Sequence, residues 1–439
     1  MLNRITFVAL VGLIVIAAIP YGTVEPWWKA AFVCAVFAIC IVAIVEILVS
    51  GSNRIEGGPV LLPMLALSVL AFVQTLSIGS SNVWDAISAD PFQTRFFALQ
   101  MLALTAFLAL LYRYANTERR VRVLVYTVLG VAVVSAVFGI LRQTAQQETG
   151  FVLPLLKQNQ GYGQFINKNH FAYLMEMAFG LGLGILLAGG IKKDRLMIFV
   201  ALLVPIWTGL VLANSRGGIL AMLTQVLVAA LLMLSSQSHP VLPRSLLFSS
   251  AMKVVLIVVL VAGVLVGTFW VGGDQLASNF EAATSEFNTG ASSSDTGASR
   301  NEIWRASLKM FAAHPILGVG LGGYWIGITA YHEASGVMTP QEAHNDYLEL
   351  LSSAGLIGFA IGVWFVVAVV RRVRENLSVD NGFRHAVRFG AVLGLAGIAA
   401  HSLVDFGLHI IVNALVLLTL IMMATTNFDA KAQRRKGRI

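Results

Sequence analysis

A chain of 439 residues with 57% hydrophobic and only 12% charged side chains is not a water-soluble domain, since such domains sit near half apolar and a quarter charged. It reads as an all-α polytopic membrane protein. The net charge of +8 suits cytoplasmic loops better than nucleic-acid binding, because the basic residues are scattered between apolar runs with no stripe of interleaved aromatics.

Met1-Leu2-Asn3-Arg4 and the apolar run from Ile5 to Ile19 could pass for a signal peptide. Pro20-Tyr21-Gly22 follows, with no small-x-small cleavage site, so the run reads as an uncleaved first span. At about 20 apolar residues per crossing, twelve spans are expected: 5–21, 29–49, 60–78, 96–114, 121–141, 170–189, 195–213, 218–234, 252–271, 347–370, 386–403 and 408–426. Cys34 and Cys40 fall on different faces of the second span and read as packing residues; no CxxC or Cys/His spacing marks a metal site.

With the N-terminus in the cytoplasm, 21 of the 30 lysines and arginines, Arg54, Arg244 and Lys253 among them, lie on inside loops and nine lie outside. That bias places both termini inside and residues 271–346 outside. The expected organisation is spans one to nine in 1–270, an outer catalytic loop in 271–346, spans ten to twelve in 347–427 and a basic cytoplasmic tail in 428–439.

The outside cations Arg142, Lys157, Lys168, Arg216 and Arg300 come from different loops on one face. They are either scattered solvated charges meeting lipid headgroups or a convergent anion site. Arg216 favours convergence. It lies in the turn Asn214-Ser215-Arg216-Gly217-Gly218 between two apolar helices, where an arginine at depth costs roughly 2.5–3.5 kcal/mol and usually has a partner or a task. Ahead of the sixth span, Gln158 to Tyr173 is dense in amides and aromatics, including Asn167 and His170. That composition suits sugar stacking and hydroxyl bonding, and equally suits a loop in the headgroup region.

Thr289–Ser299 is small and polar, a gate or a linker. Ser299 and Glu302 form a capping-box pattern; Ile303, Trp304, Leu308 and Phe311 recur at helical spacing until Pro315. Arg300 falls in the first turn of that helix, where the dipole disfavours a cation unless an anion binds there. Arg305 and Lys309 share another face, open to solvent. Gly318-Val319-Gly320-Leu321-Gly322-Gly323 lacks the Gly-Lys-Ser/Thr of a phosphate loop and reads as a close-packed turn. His344 stands at the edge of the tenth span, with Asn345 or Asp346 as the cap. It is either a general base or a headgroup-level residue, with Glu342 and Asp346 beside it in the sequence.

Four motifs occur in order: Phe165-Ile166-Asn167-Lys168-Asn169-His170-Phe171-Ala172; Ser215-Arg216-Gly217-Gly218; Arg300-Asn301-Glu302-Ile303-Trp304 with His314-Pro315-Ile316-Leu317-Gly318; and His344-Asn345-Asp346-Tyr347-Leu348-Glu349-Leu350-Leu351 with Gly355 and Gly358. In this topology the whole chain resembles the superfamily of O-antigen ligases and polysaccharide polymerases. The resemblance implies a GT-C-like, metal-independent glycosyltransferase without cofactor, acting on an undecaprenyl-diphosphate-linked glycan. For a ligase the acceptor is the lipid A–core of lipopolysaccharide, at the periplasmic face of the bacterial inner membrane. It further implies that Arg216 and Arg300 hold the diphosphate, with Arg305 as a companion, and that His344 activates the acceptor hydroxyl. Arg142, Lys168, Asn167, His170, Asp346 and Tyr347 are the further substrate-binding candidates.

The same motifs serve chain polymerases and protein O-oligosaccharyltransferases. The short tail disfavours the latter. A lipid-linked glycan transporter is the alternative of another class, with Asp405, His401 and His409 as coupling groups. These read better as interface residues between the last two spans, and no inverted repeat is visible.

Overall fold

The computed structural model describes residues 2–51, 57–77, 86–145, 153–157, 160–235, 262, 300–332, 339–377 and 382–426. The principal helices are α1 (Leu2–Ala18), α2 (Pro26–Ser50), α3 (Gly58–Gln74), α4 (Pro91–Tyr114), α5 (Glu118–Ala145), α6 (Lys168–Leu187), α7 (Leu196–Leu212), α8 (Arg216–Ser235), α9 (Arg300–Ala313), α10 (Asp346–Leu377), α11 (Phe383–His401) and α12 (Ile411–Thr425). Eight of the described helices are long and apolar enough to cross a membrane, and α1, α3 and α12 are shorter apolar helices. The chain is therefore an all-α polytopic membrane protein. Eleven of the expected spans have a helix. Of the ninth, 252–271, only Ala262 is described. Arg54, Arg244, Lys253, the Thr289–Ser299 tract and the tail 428–439 lie outside the described residues.

Local chemistry sets the helix ends. Pro26 and Pro91 open α2 and α4, where a missing N–H costs nothing, and Asp90 caps α4 by accepting from Gln93 N at 3.0 Å. Gly51 closes α2 in the left-handed region, its N–H on Ile47 O. Helix α6 is mostly apolar and buried along almost its whole length, as a central helix must be. It crosses α11 through two small-xxx-small pairs. A Cβ on Gly180 would meet the Gly394 backbone, and one on Gly184 would meet Gly390. Without a hydrophobic drive between helices in lipid, such close backbone packing supplies the attraction.

The tenth span is not one helix. At Gly355 the backbone leaves helical geometry (φ 62°, ψ −164°). The segment after α9 fills the break: Val319 and Gly320 donate to the carbonyls of Ser352 and Ser353, and Leu356 N donates to Pro315 O. Gln74, at the end of α3, bonds Leu317 O, Ser353 O and Leu321 N. Ala306 and Met310 of α9 pack with Val319, Tyr324, Ile328 and Ala343 in a small core of their own. The segment between α9 and α10 is thus bolted to α10 rather than hung from it.

Candidate active site

Helix starts and one turn build the site, at a single end of the bundle. Asn167 caps α6 through Oδ1 on Asn169 N (2.8 Å), and so presents Lys168 and His170 on the first turn. Ser215 Oγ accepts from Gly218 N (3.2 Å) and starts α8 at Arg216. Arg300 starts α9. Lys168 lies within electrostatic range of both Arg216 and Arg300, so three cations from three separate elements share one locality. Like charges are gathered only at a cost, which a bound anion removes.

Beside them stands His344. Asn345 caps α10, its Oδ1 accepting from Tyr347 N (3.1 Å) and Leu348 N (3.0 Å). His344 immediately precedes this cap with φ 50°, a conformation uncommon for a non-glycine residue and frequent at functional sites. The imidazole is partly exposed, and its Nδ1 lies 3.5 Å from Oδ1 of the buried Asp405. Burial would raise the Asp405 carboxyl, but the imidazoles of His344, His401 and His170 outweigh it and hold it down at about 2. The surrounding imidazoles thus favour the ionised carboxylate. Phe406, the next residue, sets its ring edge-on to His344 (4.8 Å), His170 (5.0 Å) and His409 (6.0 Å).

A third group adjoins. His409 Nδ1 is 3.4 Å from Glu342, and its Nε2 is 3.2 Å from Glu349 and 4.0 Å from Asp346. Burial disfavours charge on His409, yet the Glu349 and Glu342 carboxylates raise it to about 10. Burial pushes Glu342 up and the His409 charge pulls it lower, with a net fall. Glu342, Glu349 and His409 offer ligand atoms within 4.8 Å of one another, a possible metal triad. Both ring nitrogens face carboxylates, however, an arrangement that a doubly protonated imidazole satisfies by itself.

The structure brings Lys168, Arg216, Arg300, His170, His344 and Asp346 to this end, and gives other expected residues different employment. Arg142 is 1% exposed. It donates to the carbonyls of Lys157 (2.8 Å), Gly163 (2.8 Å), Phe165 (3.4 Å) and Gln160. It braces the loop ahead of α6. Asn167 is spent on its cap. The Tyr347 hydroxyl donates to Ala399 O (2.8 Å), tying α10 to α11. Arg305 is exposed on α9. Sequence reasoning had left Asp405 at an interface and passed over Glu176 and Glu349. A lone carboxylate inside an apolar span is itself a signal of function, and that signal marks Glu176.

Residues 198–363 match the model of the family Wzy_C, described as O-antigen ligase. The matched stretch holds Arg216, Arg300, Arg305, His344, Asp346 and Tyr347, and ends before Asp405 and His409. It supports the superfamily of ligases and polymerases acting at a membrane. No curated protein matches the chain.

Proposed function

We propose that the chain is an O-antigen ligase. In this reading it moves a glycan from undecaprenyl diphosphate to a sugar hydroxyl of lipid A–core, at the periplasmic face of the inner membrane, with both termini cytoplasmic. The observation that carries the reading is the meeting of Lys168, Arg216 and Arg300 beside a His344 backed by Asp405. A polyprenyl diphosphate is an activated leaving group whose charge grows as the glycosyl bond breaks. Guanidinium groups already in place stabilise that growing charge.

Asp405 keeps Nδ1 of His344 as the N–H nitrogen and leaves Nε2 as the acceptor. The acceptor hydroxyl gives its proton to Nε2, and its oxygen bonds the anomeric carbon from the face opposite the diphosphate. The carbon–oxygen bond to phosphate breaks with its electron pair on the departing undecaprenyl diphosphate. The anomeric centre inverts. Guanidinium and ammonium charge then does the work that a metal does elsewhere.

The test is the lipopolysaccharide pattern of a deletion strain complemented with wild type or His344→Ala. Core without O-antigen, with glycan held on undecaprenyl diphosphate, supports the ligase. Core bearing a single repeat unit assigns a polymerase instead. A normal ladder in the deletion strain removes both. The break at Gly355 is the feature a transporter would share, but its freed backbone groups bond the 315–320 segment rather than line a path.

A further inference from the structure

We propose that the buried pair Glu176–His401, with Tyr173 stacked on it, is a positioning element that sets Arg216 against the turn carrying Asp405. It rests on the ligase reading above and adds residues to which nothing yet assigns a role. Both side chains are fully buried, and His401 Nδ1 bonds Glu176 Oε2 at 2.7 Å. The Tyr173 ring lies on the His401 ring, centroids 4.0 Å apart.

The pair is gripped from both halves of the site. Gly217, the residue after Arg216, presses its backbone on the Nε2 edge of His401, where any Cβ would overlap the ring. Gly407, in the turn after Asp405 and before His409, presses in the same way on the Tyr173 ring. His401 also ends α11, and Ser402, the next residue, accepts from Asp346 N at 3.0 Å. The Arg216 arm and the turn carrying Asp405 therefore rest on one stacked plug, the first on His401 and the second on Tyr173. Its angle is set by the bond to Glu176. Gln225 holds Glu176 in turn, Nε2 on the Glu176 carbonyl at 2.8 Å. A shift of an ångström at such a junction misaligns leaving group and base.

The experiment uses full-length protein in nanodiscs, with kcat and KM for donor and acceptor, and with undecaprenyl diphosphate affinity measured separately. Glu176→Ala is expected to lower kcat about 50-fold with KM within about threefold. Glu176→Gln still accepts from Nδ1–H and is expected to recover most of the loss. Gly217→Ala sets a methyl against the His401 ring and so displaces the neighbouring Arg216; it is expected to weaken undecaprenyl diphosphate binding about tenfold, and His401→Ala in the same chain, which clears the space, should restore it. Wild-type kcat in Glu176→Ala overturns the proposal. So do equal losses in the Ala and Gln variants, failure of His401→Ala to rescue, or loss of folded protein in every variant, which assigns the pair to the fold alone. The affinity readout needs no turnover. Wild type that binds and transfers nothing therefore sinks the reaction while leaving the plug testable, and wild type that binds nothing overturns both.

Discussion

At one end of the bundle Arg113 donates to Glu46 at 2.7 Å, Arg120 to Tyr114 O and Asn3, and Arg388 to the carbonyls of Asn376 and Thr426 that end α10 and α12. At the other end Lys168 lies within electrostatic range of Arg216 and of Arg300. The first set closes helix ends and holds neighbouring helices together. The second gathers like charge at the starts of three helices. Arg142 shows that position along the chain does not decide the matter, because it belongs to the second end and behaves like the first. The braces are marked by donors on fixed carbonyls and carboxylates, and the second set by like charges drawn together.

The largest expected effect is at His344. His344→Ala removes the proposed base and should lower transfer about 10³-fold in a purified assay, with undecaprenyl diphosphate binding retained. Next come Arg216→Ala and Arg300→Ala, at about 10²-fold or more in kcat/KM each, with lysine at either position restoring only part because it lacks the planar fork. Arg142→Ala sharpens the contrast. It should cost about 3 kcal/mol of stability, by stranding several carbonyls, and leave KM for the donor unchanged in the folded fraction. A KM effect from Arg142→Ala as large as that of Arg216→Ala would erase the distinction between the two kinds of cation.

Asp405→Asn keeps the shape and removes the charge that selects the His344 tautomer. A fall in kcat of about 10²-fold, with the donor still bound, is the expected result. Near-normal turnover would make Asp405 a structural neighbour only.

The same comparison extends to the His409 group. Its imidazole is raised to about 10, above its usual value, so its contribution to stability is complete below about pH 6.5 and is lost as pH rises through 10. Thermal melts in nanodiscs should therefore weaken between those limits, and His409→Gln should flatten the dependence. Adding a divalent cation or a chelator tests the other occupant of the triad. A melt unmoved by either favours the imidazolium, and a rise with the cation favours a metal.

How far these features were legible differs by kind. Span positions follow from apolar length, and α9 from its 3.6-residue spacing and Pro315, so both could be read directly. The break at Gly355 could not. The run around it is long enough to read as one span, and the carbonyls it frees are bonded by residues 319 and 320, which approach from another segment. Arg142 misled for a related reason. An arginine ending a helix looks like a surface cation, and the carbonyls that absorb it belong to an irregular stretch with no pattern to read. Asp405 reaches His344 only because α11 and α12 return the chain to the start of α10, a matter of packing rather than spacing.

The smallest effect tests a residue expected to touch substrate. The Tyr347 hydroxyl donates to Ala399 O at 2.8 Å and sits at the start of α10, three residues after His344. Its donor is thus already engaged, and the bond links α10 to α11 near the turn that holds Asp405. Tyr347→Phe removes one hydrogen bond, a loss of about 1 kcal/mol of stability, while the ring stays in place. Turnover should remain within about twofold, since the cap at Asn345 and the Asp405 carboxylate still set the imidazole. A rise of tenfold in KM for the acceptor, with the melt unchanged, would instead show that the hydroxyl leaves Ala399 to meet the incoming sugar. Tyr347 would then move from the braces to the binding groups.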